Sequence, residues 1–278
     1  MVQLSGFTDV IVTKEGPIGQ IKFNRPKSLN AFGGMLVLDT LKALRDFDKD
    51  PSIIFTVITG EGRFFSSGAD VRAFGSAPHT PAVPTTELEG KVAYINNGAV
   101  PIELVRAMID HKKVLIMALN GGAVGGGCAW FLGAADIVLA TQSAYLQVPF
   151  SALALVPEMG SRMFAEHVGV RRTTEFLMFG RKINTTEMLD WGIVNQVFPD
   201  ATFKSDVAQY LATQLEVNDH KSMLETKRLI VEPLREGRIN ALFRAQDGLA
   251  EAMAVKRPMK RFAEKAAKMV AKSKSAKL

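Results

Sequence analysis

The stretch "KVLIMALNGGAVGGGCAW" (113–130) limits this chain more than any other. Its first seven residues contain six apolar ones, the length and character of a buried strand. Five glycines then fall within the eight residues from Asn120 to Gly127. Glycine inside a helix costs about 1 kcal/mol against alanine, so such a cluster implies bare backbone, unusual φ or close packing. A second apolar run, "SIIFTVITG" (52–60), also ends in glycine and leads into "EGRFFSSGAD". A third strand, "IVLAT", follows the first glycine loop. Strand, glycine loop and helix in succession, twice, predict an α/β core with crossover connections.

Three chemistries compete for the glycine loop. Dinucleotide binding wants G-x-G-x-x-G with an acid about 20 residues on, and neither the spacing nor the acid is here. A Walker loop wants Gly-Lys-Ser/Thr, which is absent. The third is an anion hole, in which a backbone N–H at the first turn of a helix meets a ligand oxygen. Such a hole normally needs a second donor. The loop "GRFFSSGAD" offers one, because Gly68-Ala69 lets the backbone turn an N–H inward.

The rest of the chain reads around that core. "TDVIVT" (8–13) and "IGQIKF" (18–23) predict two strands about the turn "EGP". Helical spacing runs from Met35 to Phe47, and a single helix is expected from about 87 to 110. Positions 75–86, rich in Pro, Ala and Thr, predict a loop. After Pro199 the pattern is wholly helical, near 201–213, 217–232, 236–253 and 257–272. The expected division is therefore 1–199 for the core and 200–278 for a helical C-terminal domain. No internal repeat is evident.

Composition narrows the class. At 47% hydrophobic and 22% charged, the 278 residues suit a globular domain. No apolar run is long enough for a membrane span, and no secretory signal is evident at the N-terminus. Cys128 is the single cysteine, which excludes an internal disulfide and fits a reducing compartment. Four scattered histidines show no metal-ligand spacing. The net charge of +6 is concentrated from Lys256 onward, where nine Lys or Arg face one acid, Glu264. No nucleic-acid-binding motif precedes that tail, so a solvated helix face explains it.

Taken together, "FNRPKSLNAF", "GRFFSSGADV", "HKKVLIMALNGGAVGGGCAW" and "VPEMGS" resemble the crotonase (enoyl-CoA hydratase/isomerase) superfamily over roughly residues 8–275. The branch it resembles most is the peroxisomal Δ3,Δ2-enoyl-CoA isomerases. The resemblance implies a spiral of ββα units with a C-terminal helical trimerisation domain, often paired into hexamers, and an acyl-CoA thioester substrate of fatty-acid β-oxidation. It implies backbone N–H donors at Ala69 and Gly126 for the thioester oxygen. It implies that Ser66, Gly68, Ala69, Asp70 and Val71 line the CoA pocket, with Arg25 and Lys27 as candidate phosphate contacts. Phe150 and Trp130 are expected to shape the acyl pocket.

The acids separate the chemistries within that family. The two places where hydratases carry glutamates hold Ala129 and Phe150 here. Glu158, eight residues after Phe150, matches the single base of the isomerases. No metal or redox cofactor is implied. The final residues Ala276, Lys277 and Leu278 resemble a peroxisomal address, which implies an import receptor as partner and a matrix location. Other acyl-CoA enolate chemistry, or a catalytically silent assembly subunit, remain the alternatives.

Overall fold

The computed structural model describes residues 1–70, 86–157, 159–255, 257–262 and 264. Expectations for 75–85, Val71, Glu158 and the tail Ala276, Lys277 and Leu278 lie outside the described residues, as does most of the last predicted helix.

The chain opens with β1 (Val2–Leu4), β2 (Val10–Glu15), β3 (Ile18–Phe23) and α1 (Leu36–Lys49). Next come β4 (Phe55–Gly60), β5 (Phe64–Ser66), α2 (Glu87–Asn97) and α3 (Ala99–Ile109). The glycine-rich region follows as β6 (Val114–Leu119), β7 (Gly122–Val124) and α4 (Gly126–Ala129). Then come β8 (Ile137–Thr141), β9 (Tyr145–Gln147), α5 (Ser161–Val168) and α6 (Val170–Phe179). β10 (Ile183–Asn184), α7 (Thr185–Asp190) and β11 (Gln196–Phe198) precede further helices. Among these are α8 (Phe203–Val217), α9 (His220–Val231) and α10 (Arg235–Ala254).

Among the described residues the strands form two sheets. One runs β1-β2-β3-β4-β6-β8-β11 and the other β10-β9-β7-β5. The pairs β4/β5, β6/β7 and β8/β9 each give one strand to each sheet, and their pairings with the next turn are parallel. The chain is therefore a rising spiral, built by structural repetition that leaves no repeated sequence.

Alternation along the central strands explains the layers. Ile58, Leu115, Met117, Leu119, Val138 and Ala140 face a core shared with α1 and α3. Phe55, Val57, Ile116, Ala118 and Leu139 face the other way, onto Phe203, Val207 and Leu211 of α8. Those three residues are spaced four apart, one stripe of a helix. Burying each contributes about 1.5–3 kcal/mol. The strands thus read as continuous apolar runs because both faces are covered.

The single helix expected over 87–110 is two, broken at Gly98. Pro101 explains the break: it has no N–H for the carbonyl four residues earlier and its ring crowds that position. A Thr86/Glu89 capping box starts the first of the two.

A buried polar cluster fastens α9 to the sheet. Lys227 Nζ stands 2.7 Å from Asp136 Oδ2 and donates to Lys113 O at 2.6 Å. Asp136 also accepts the Leu115 N–H at 2.7 Å. Beside them His111 shares a 2.8 Å hydrogen bond with Thr56 Oγ1. Burial, reinforced by the Lys227 and Lys113 charges, pushes His111 down to about 3. Asp48, 3.4 Å from Nδ1, pulls the other way and is outweighed. An unfolded chain takes up this proton near pH 6.5. His111 therefore leaves stability intact above about pH 6.5. As pH falls from there towards about 3, its contribution becomes destabilising by about 1.4 kcal/mol per unit. Urea unfolding at a series of pH values should show His111→Gln losing less stability per unit of acidification than the wild type. Parallel pH profiles would refute the assignment.

Candidate active site

The two glycine loops meet because β5 and β7 are neighbours in the second sheet. β5 ends at Ser66 and β7 at Val124, so the segments that follow leave the sheet side by side. Gly68 has φ +79°, and a Cβ there would lie 2.6 Å from Val124 O and 3.1 Å from Gly126 N. Only glycine permits both the backbone angle and the approach. Gly125, with φ 57° and ψ −128°, turns the chain into α4 from a conformation that side chains rarely adopt.

Among the described residues, neither the Ala69 N–H nor the Gly126 N–H donates to a protein acceptor. Ala69 is exposed and Gly126 buried. The parallel bridge Phe32–Ala69 explains the first free N–H, since its hydrogen bonds use the atoms on either side. Phe32 N–H donates to Gly68 O at 2.8 Å and Asp70 N–H to Phe32 O at 3.4 Å. The second is free because Gly126 is the first residue of α4.

Aromatic rings wall this point. Phe32 and Trp130 stack with centroids 4.5 Å apart, and a Cβ on Gly126 would touch both at 3.0–3.2 Å. Phe150 lies on the other side, 3.6 Å from where a Gly125 Cβ would be. Both Trp130 and Phe150 are buried. The buried Gly126 donor, set among apolar rings, acts in a lower effective dielectric than water, where a hydrogen bond to developing charge is stronger.

Gly160 packs on the same helix. A Cβ on Gly160 would lie 2.2 Å from Ala129 O, so the two backbones are in direct contact. Met159 takes φ 53°, a left-handed angle that costs a non-glycine residue about 1–2 kcal/mol. Pro157 is half-buried and Met159 buried. Beyond it, Glu166 of α5 is gripped by Arg162 and by the buried Arg238 of α10, each at 2.8 Å. This ties α10 to the helix that follows the turn.

Other expected site residues fall in different places. Ser66 is fully buried, and its hydroxyl donates to Asn30 O at 2.8 Å and accepts the Gly68 N–H at 3.1 Å. It shapes the loop from inside. Asp70 is half-buried beside Arg25. Lys27 is exposed on a short 3-10 turn, Pro26–Ser28, which lines an open groove with Asn24 and Arg25. Cys128 is fully buried with its thiol pushed up by burial, the setting of a packing residue. Among the described residues no group of His, Cys, Asp or Glu is placed to hold a metal ion. No described helix is long and apolar enough to cross a membrane.

Two asparagines frame the site and sequence reasoning passed over both. Asn30, buried with φ 54°, donates to Glu61 O and Phe64 O and accepts from Arg25 N–H. Asn120 accepts the Gly60 N–H at 2.9 Å and donates to Gly62 O at 2.8 Å. The available signals were an asparagine in a left-handed position and one at a strand end, both favoured for local backbone bonding.

The double-sheeted spiral defines the class, a crotonase fold. The chain belongs to the enoyl-CoA hydratase/isomerase family, whose sequence pattern matches residues 13–270. It is 38% identical over 204 residues to "Enoyl-CoA delta isomerase 2" of Homo sapiens, covering 73% of this chain and 49% of that one. "Enoyl-CoA delta isomerase 3, peroxisomal" of Mus musculus is 35% identical over 206 residues, 74% of this chain and 62% of that one. The chain thus spans about half to three fifths of the length of the delta isomerase relatives it matches. The crystal structure of an enoyl-CoA hydratase/isomerase from Pseudoalteromonas atlantica superposes with a TM-score of 0.81 at 24% identity, covering 94% of this chain and 98% of that one.

Proposed function

We propose that the protein is a Δ3,Δ2-enoyl-CoA isomerase. The observation that carries this reading is the abutment of Gly68-Ala69 on Gly125-Gly126, which leaves two backbone N–H groups free beside an aromatic wall. These N–H groups hold the thioester oxygen of a 3-enoyl-CoA. Glu158 removes a proton from C2, and the electron pair spreads onto that oxygen as an enolate. Glu158 then returns the proton at C4, the double bond moves from C3–C4 to C2–C3, and no redox group or metal enters the balance. Ala129 and Phe150, at the two places where hydratases carry acids, cannot activate water, so isomerisation should dominate over hydration. The isomerase names of the relatives support the same reading.

The setting is fatty-acid β-oxidation. The location is the peroxisome, as in the name of the mouse relative. Assembly is a trimer or a pair of trimers, with the C-terminal helices at the contacts. Leu229 and Ile230 on α9 are 60% and 62% exposed in the single chain, which supports a partner there.

The deciding assay offers the purified protein 3-hexenoyl-CoA and, separately, 2-hexenoyl-CoA in water. Fast conversion of the first and slow hydration of the second are expected. Hydration as fast as isomerisation would overturn the assignment. Turnover of neither would favour a silent assembly subunit.

A further inference from the structure

The "NRPK" turn suggests Arg25 as a phosphate contact, yet its guanidinium is engaged within the protein. Nη1 donates to Ala31 O at 2.6 Å. Nη2 lies 3.5 Å from Asp70 Oδ2, and Nε 3.9 Å from Asp9 Oδ2. A phosphate coming to this cation would meet two carboxylates beside it, and their combined charge opposes an anion.

The partners of Arg25 are placed tellingly. Ala31 precedes one side of the Phe32–Ala69 bridge and Asp70 follows the other. Arg25 therefore spans the bridge from end to end. The backbone bond at the Asp70 end is long, 3.4 Å, and weak by its length. The loop also closes tightly on the guanidinium, since a Cβ on Gly33 would lie 2.7 Å from Nη1.

We propose that Arg25 is a positioning residue that braces Ala69, so that its N–H faces the thioester oxygen. This rests on the isomerase reading above. Arg25 acts through the bridge and not through CoA.

The test compares wild type, Arg25→Met and Arg25→Lys on 3-hexenoyl-CoA and on 3-hexenoyl-pantetheine, which keeps the thioester and has no phosphate. In Arg25→Met, kcat should fall about 10- to 100-fold on both esters, the loss a misplacement of roughly 1 Å brings. KM should change much less. Lysine keeps a cation beside Asp70 and should recover part of the rate on both. A rise in KM confined to the CoA ester, with pantetheine turnover untouched, would overturn the brace in favour of a phosphate contact. So would wild-type rates on both. If Arg25→Met fails to fold, Arg25→Lys decides by the same comparison of the two esters. A wild type inert on both esters would count against the isomerase reading instead. The brace would then be read from amide exchange at Phe32, which should quicken in the variant; unchanged exchange would refute it.

Discussion

Replacing Glu158 by glutamine should lower isomerase kcat by roughly 10²- to 10⁴-fold, the range that one positioned acid–base group contributes. Glutamine keeps the size and the hydrogen-bonding reach but cannot accept and return a proton. Affinity for acyl-CoA should barely move, because in the proposed site the thioester oxygen is held by backbone N–H groups. The measurement is steady-state turnover beside a direct binding titration on the same preparation. Near-normal turnover in the variant would remove Glu158 from the mechanism. A parallel collapse of binding would give it a structural role instead. A large fall in kcat with binding retained separates the base from both.

The second large effect is expected at Gly68. A methyl group there would lie 2.6 Å from Val124 O, a backbone atom that cannot rotate away. At φ +79° the new side chain is also strained. Gly68→Ala should therefore push apart the two loops that present Ala69 and Gly126. Loss of one hole donor costs about 10²–10³ in kcat, and the crowding itself costs about 1–3 kcal/mol in stability. Gly192→Ala is the matched control. It has φ +75° with open space around the Cβ position, so it carries the strain without the collision. Gly192→Ala should lose some stability and keep its turnover. If the two variants lose turnover equally, general destabilisation explains both and the paired-donor geometry is wrong.

The parts of the fold legible in the sequence are those with long, one-sided patterns. β3 falls on Ile18–Phe23 as its alternation indicates, and β6 and β8 follow from apolar runs bounded by glycine or polar residues. The strands of the second sheet were not legible. β5, β7 and β9 are three residues each, too short for any period to register, and β7 lies inside the glycine cluster. The meeting of Gly68 with Gly126 could be reached by chemical argument, but its geometry comes from the pairing of β5 with β7. For Arg25 the family resemblance implied a phosphate contact. The carboxylates that engage it, Asp9 and Asp70, are 16 and 45 positions away, beyond any local pattern. The resemblance implies a pocket role for Ser66, and what the sequence does not show is that its hydroxyl donates to Asn30 O and accepts the Gly68 N–H.

The adjacency of β5 and β7 also bears on how this protein comes to be active. The two N–H groups belong to residues 57 positions apart, and no local element brings them together. They meet only after two turns of the spiral have closed on each other, and closing such long loops is slow. A chain that has formed its helices but not that pairing would look largely structured in its far-ultraviolet signal and have no place for a thioester oxygen. Recovery of activity should thus lag recovery of helix during refolding. A substrate analogue that binds only the closed form would draw the last step forward by mass action.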